Sequence, residues 1–159
     1  MSATTEAARP AGPASGSWQA GTVGGIVGAA VMGALMLAMA DSGGPLAVAI
    51  PSLYGLAPPA SVGAGLFVHI SHGAMLGVAF AAIAGAAGFD STGKLVGAGV
   101  GWGVVTWAVL AAVVMPIWLG AVGSPANPPL PNFAPPSLLW HVVYGLVLGG
   151  IYVGLEGRF

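Results

Sequence analysis

Three histidines are the side chains of this sequence whose type and spacing could do chemistry. His69 and His72 stand three residues apart in HISHGAML, and His141 lies in LLWHVVYG. Residues at i and i+3 share one helix face, and imidazole is both the side chain that titrates near neutral pH and the commonest metal ligand. Met75 extends the pair to H-x-x-H-x-x-M, while Met32, Met36 and Met39 form a second stripe at i, i+4 and i+7. Three ligand chemistries follow. Imidazoles on facing helices would hold a haem b through its two axial positions. Thioether with imidazole, here His69, His72 and Met75, suits Cu(I). The three histidines with Tyr144, Trp140 and Asp41 would line a pocket for a quinone or a lipid head group. If the helices begin at the Pro-Pro pairs that precede them, His69 and His141 differ in depth by roughly 7 Å at helical rise, which weighs against haem. A structural role competes with all three: histidines that hydrogen-bond across helices or to carbonyls and so hold a bundle together.

The elements that must position these side chains belong to a membrane. Of 159 residues, 57% are apolar and 4% charged, against roughly a quarter charged in a soluble domain. Four apolar stretches of spanning length cover about 18–40, 62–88, 94–119 and 137–155. The fold class expected is an all-α integral membrane protein. Residues 1–17, rich in Ala, Pro, Ser and Gly, read as a disordered tail before one transmembrane domain over 18–159. The apolar piece at 45–57 is too short to cross and is divided by Pro51, so it predicts an interfacial or re-entrant helix. Asp90 and Ser91 are positioned to cap the third span. Pro116 is expected to kink or end that span. Six prolines in residues 121–136 then make a stiff extended loop.

Charge is sorted along this topology. Arg9, Lys94 and Arg158, the only Lys and Arg residues, fall on one side, which the positive-inside rule places in the cytoplasm with both termini, in a cell membrane. Trp118 and Trp140 then fall at the outer aromatic belt and Trp18 at the inner one. A net charge of −1 offers nothing to nucleic acid. The absence of cysteine removes disulfides and thiolate chemistry. No paired carboxylates lie within the spans, and neither a Ser-His-Asp nor an H-E-x-x-H spacing occurs. Gly97-Ala-Gly-Val-Gly-Trp-Gly103 has no strand before it and no P-loop lysine. The chain is therefore expected not to be an enzyme, and the lack of charge within the spans disfavours ion pumping.

H-x-x-(H/Y)-G-x-x-L-G occurs twice, from His69 to Gly77 and from His141 to Gly149, each after an Ala-Pro-Pro element. This reads as a duplicated helical hairpin whose copies share one orientation. Small-xxx-small pairs, Gly24/Gly28, Gly73/Gly77, Gly97/Gly101 and Gly145/Gly149 among them, are the expected packing surfaces, since small residues let helix backbones approach in lipid. Faces left over would serve self-association or other membrane subunits.

The HISHG segment, the glycine-rich third span ending in Met115-Pro-Ile-Trp-Leu-Gly120, the proline-rich loop and Ser137-Leu-Leu-Trp-His141 resemble the YagU-like inner-membrane proteins and similar short haloarchaeal membrane proteins, a group of unknown function. The resemblance implies a membrane-embedded, histidine-containing helix bundle and supplies no reaction. The expected role is thus that of a small accessory or interaction subunit in the bilayer. Binding of haem b, copper, a quinone or a lipid through the histidines is the alternative, and transport of a small solute or lipid a further one.

Overall fold

The computed structural model describes residues 16–159, and every regular element among them is helical. Four helices are long and apolar enough to cross a bilayer: α1 (Trp18–Met39), α2 (Val62–Ala86), α3 (Thr92–Ala121) and α4 (Pro135–Leu155). The shortest has 21 residues, about 30 Å of helix and so about one hydrocarbon thickness. The protein is an all-α integral membrane protein with four spans. Arg9 and the expected tail up to residue 15 lie outside the described residues; Lys94 and Arg158 lie at one end of the bundle.

The helix starts follow local chemistry. The Ser17 hydroxyl accepts from the Ala20 N–H at 3.1 Å and the Ser61 hydroxyl from the Ala64 N–H at 3.2 Å, each satisfying an otherwise orphan first-turn donor. Helix α4 opens on Pro135-Pro136, two residues before the expected start, because the first turn has no use for the N–H that proline lacks. The expected cap of α3 is not made. Ser91 occupies the cap position without a side-chain bond, and Asp90 instead accepts from the Lys94 ammonium at 2.8 Å, a charged donor that outcompetes a backbone N–H.

Pro116 does not end α3, which continues to Ala121. Proline cannot donate to the carbonyl four residues back and its ring crowds it. The helix responds by widening to a π register over Trp107–Val114. The carbonyl concerned is that of Ala112, and the Asn132 N–H from the proline-rich loop takes it at 2.8 Å. The loop is thus fastened where the helix ladder is interrupted.

All four helices are apolar around their circumference, so hydrophobicity does not select the contact faces; residue size does. A Cβ built on Gly25 would overlap the Gly73 carbonyl, and one on Gly21 the Gly77 carbonyl. These contacts join α1 to α2. A Cβ on Gly99 would overlap the Gly145 carbonyl, and one on Gly103 the His141 carbonyl, joining α3 to α4. Between the two hairpins, Gly24 lies against Leu148 and Gly28 against Tyr144, a Cβ on either meeting a carbonyl at 3.0 Å. Gly24, Gly28, Gly73, Gly77, Gly145 and Gly149 lie at helix contacts. Gly97 and Gly101 do not: a Cβ on either meets nothing within 4 Å. Gly97 and Gly99 are two residues, about 200°, apart around the helix, so α3 has a glycine pair on each of two opposite faces and only one of them turns to α4.

The resulting order is α2, α1, α4, α3. Helices α2 and α3, adjacent in sequence through the short connection 87–91, meet only sparingly. Buried side chains fill the seam of α1, α2 and α4, including Leu148 and the edge-on pair Phe80 and Tyr152 with centroids 5.4 Å apart. The segment between α1 and α2 folds back onto the bundle. Ser42, Gly43 and Gly44 take positive φ of 53°, 84° and 50°, a left-handed reversal that glycine permits at two of its three positions. Leu46 and the short helix Ala49–Ser52 are buried behind it. The Ser61 N–H donates to the Ala47 carbonyl at 2.8 Å, and the Trp118 indole to the Leu53 carbonyl at 3.0 Å.

Candidate functional site

Because α2 and α3 diverge, a cavity of about 650 Å³ lies between the hairpins. Helix α1 supplies Ala29, Met32 and Met36; α2 supplies His69, His72, Gly73 and Met75; α4 supplies Trp140, His141 and Tyr144. Helix α3 contributes its π segment and the turn after it, from Thr106 through Leu110 and Val114 to Trp118. The folded-back segment closes one side with Ile50, Leu53 and Tyr54, and the proline-rich loop another with Asn132. Met75, Leu110 and Val114 line the cavity and are also exposed, so it opens sideways between α2 and α3. The volume falls within the range of small-molecule pockets, and a mostly apolar lining with a few convergent polar groups is their usual character.

Each polar group has a defined partner. The His69 Nε2–H donates to the Ala29 carbonyl of α1 at 3.1 Å. His141 Nδ1–H donates to the Ser137 carbonyl one turn back at 2.7 Å. His72 Nε2 pairs with the Tyr54 hydroxyl at 2.7 Å on the exposed side, the rings tilted with centroids 5.6 Å apart. Tyr144, 3% exposed, donates to the Gly73 carbonyl at 3.0 Å across the hairpin seam. The Trp140 indole donates to the Met39 thioether at 3.3 Å. Carbonyls only accept, so the first two bonds set the tautomers of His69 and His141.

The structure brings together His69, His72, His141, Tyr144 and Trp140, with Met32, Met36 and Met75 around them. Asp41 is left out: it is exposed just after α1 and is not among the side chains that line the cavity. Trp140 is 7% exposed and packs inside the bundle, because its N–H finds Met39; it does not stand in an aromatic belt. The copper set of His69, His72 and Met75 is not gathered. His69 turns toward α1, His72 toward Tyr54, and Met75 is 70% exposed. Among the described residues no three His, Cys, Asp or Glu side chains group as a metal site would need.

Tyr54, Thr106 and Asn132 line the cavity without any periodicity to mark them. Tyr54 and Asn132 sit in irregular segments whose fold-back cannot be read from spacing. Thr106 was signalled only as the one hydroxyl within the third span. The chain matches no family model, no curated protein and no solved structure.

Proposed function

We propose that this protein is a non-enzymatic membrane protein that holds an apolar small molecule with a compact polar head between its two hairpins. One observation carries the reading: a cavity of about 650 Å³ with apolar walls, lined by three histidines and a tyrosine from two helices, opens sideways between α2 and α3. A ligand dissolved in acyl chains would reach it laterally, without crossing the head-group layer. An organic ligand of the quinone/quinol or lipid class fits these side chains better than a metal, because the imidazoles are spread along the cavity wall and engaged by separate partners. Lys94 and Arg158 at one end support cytoplasmic termini, with the cavity toward the opposite leaflet. The paired contacts Gly25 to Gly73 and Gly99 to Gly145 support a duplicated hairpin, and the YagU-like resemblance stands with this reading.

Organic extraction of the purified protein tests the proposal. The expected result is one apolar molecule retained per chain through detergent exchange and lost in Ala111→Trp, which fills the cavity with an indole. Equal retention by that variant would overturn it, as would a Soret band that vanishes in His69→Ala and His141→Ala. A role within a larger membrane assembly is supported by a separate feature, the outward glycines Gly93, Gly97 and Gly101 of α3, beside which there is open space. Co-purification of another membrane protein in mild detergent, abolished by Gly97→Leu, tests that role.

A further inference from the structure

The hydrogen-bonding polarity of the cavity narrows its ligand further, and this rests on the reading of the cavity as a ligand site. The donors on its inner walls are already engaged. His69 Nε2–H and His141 Nδ1–H point to backbone carbonyls, the Tyr144 hydroxyl proton to the Gly73 carbonyl, and the Thr106 hydroxyl proton to the Gly103 carbonyl at 3.0 Å. The indoles of Trp140 and Trp118 are bonded to Met39 and Leu53. What remains on these walls is acceptor capacity. Neutral imidazole with one nitrogen protonated has the other bare, so His69 presents Nδ1 and His141 presents Nε2, while the Tyr144 and Thr106 oxygens retain a lone pair each.

Two further observations favour this arrangement. The cavity lining includes no carboxylate, so an imidazolium there would be a charge without a counter-ion in an apolar setting, a costly state that neutral imidazole avoids. Among the described residues the buried side-chain polar atoms without a partner are the indole nitrogens of Trp102 and Trp107. The bare histidine nitrogens are therefore not sealed in the packing, and both rings line the cavity. The donors still free, on Asn132, on Ser137 and within the Tyr54–His72 pair, belong to the loop, the first turn of α4 and the exposed side.

We propose that the cavity selects a hydroxyl-bearing apolar molecule whose O–H donates to a bare imidazole nitrogen, that of His69 or that of His141. A hydroquinol and a long-chain lipid alcohol share this chemistry. A quinone or a methyl ether of the same skeleton lacks the donor and would leave the imidazole nitrogens unpaired, the kind of mismatch that polar sites reject most strongly.

The test uses the full chain in phosphatidylcholine nanodiscs with two matched probe pairs, 4-decylphenol against 4-decylanisole and hexadecanol against its methyl ether. Binding is read from the change in tryptophan fluorescence, to which Trp118 and Trp140 at the cavity contribute. The inference expects the hydroxyl probe of at least one pair to bind tenfold tighter than its ether. The pair with the larger preference tells a hydroquinol from a lipid alcohol. In the double variant His69→Leu with His141→Leu that preference should fall toward unity while the ether still binds, which shows the cavity intact. Equal binding of hydroxyl and ether in the unaltered protein overturns the inference and leaves the ligand site standing. Binding of none of the four probes overturns both. The comparison in the unaltered protein decides the donor question even where a histidine variant fails to fold.

Discussion

Replacing Gly99 and Gly97 with alanine, one at a time, separates the two faces of α3 by adding the same methyl group two residues apart. At Gly99 the new carbon overlaps the Gly145 carbonyl and lies 3.0 Å from the Gly149 Cα and 3.1 Å from its nitrogen. All of these are backbone atoms, so no side chain can swing aside and α3 must move away from α4. Overpacking of this kind costs about 1–3 kcal/mol, reduced by the helix preference of alanine over glycine, up to about 1 kcal/mol. At Gly97 nothing lies within 4 Å, so only the propensity gain remains. Both variants receive the same propensity gain, so their difference is the overpacking term alone, about 1–3 kcal/mol, or roughly five- to 150-fold in the folding equilibrium. Thermal unfolding in one detergent, followed by helical circular dichroism, measures it. Gly99→Ala should melt below the parent and Gly97→Ala at or above it. Equal destabilisation by both would refute the packing of α3 on α4 through Gly99 and Gly103.

Three other changes follow from single contacts. Tyr144→Phe keeps the ring and removes the hydroxyl bond to Gly73, so it should cost about 0.5–1.5 kcal/mol in the same melt; a loss above 3 kcal/mol would mean that the ring itself had moved. Pro116→Ala restores an N–H that competes for the Ala112 carbonyl, so amide exchange at Asn132 should speed up while α3 remains helical. Unchanged exchange at Asn132 would show that the loop is held by other means. Asp90 is fully exposed, and its bond to the Lys94 ammonium, with the nearby positive charge, holds its carboxyl below the ordinary carboxylate value. A depressed folded-state value means that the stabilisation is complete above the unfolded carboxylate value and disappears as pH falls through the folded one. Stability should therefore not vary with this group between pH 6 and 8. Asp90→Asn should leave the melt at pH 7 unchanged, because exposed pairs of this kind are screened by water.

The four spans were legible because length and apolarity alone decide what can cross a bilayer. The clustering of His69, His72 and His141 with Tyr144 was legible from the costliness of polar groups in such helices. The contact face of α3 was not: Gly97/Gly101 and Gly99/Gly103 are equivalent as patterns, and the choice between them depends on where the Gly145 carbonyl lies across the interface. Pro116 was legible as a disturbance, but its repair by Asn132 joins residues through a loop whose course no local rule predicts. The absence of Asp41 from the cavity was not legible either. The carboxylate stands exposed just before the reversal at Ser42–Gly44, and the Met39 thioether, itself half exposed, gives the Trp140 indole its partner.

The sparing contact between α2 and α3 bears on how the chain is assembled. Everything from Trp18 to Ala86 makes one self-paired unit and everything from Thr92 to Leu155 another, and the α1–α4 seam is the main contact between them, with the Tyr144–Gly73 and Trp118–Leu53 hydrogen bonds beside it. The covalent link at 87–91 contributes little to holding the halves together. Severed there, the two fragments would each retain a complete glycine-lined pair and the surface that recognises the other, so co-expressed halves should reassemble. Insertion during synthesis can proceed pair by pair, with the cavity coming into being only when the second pair docks.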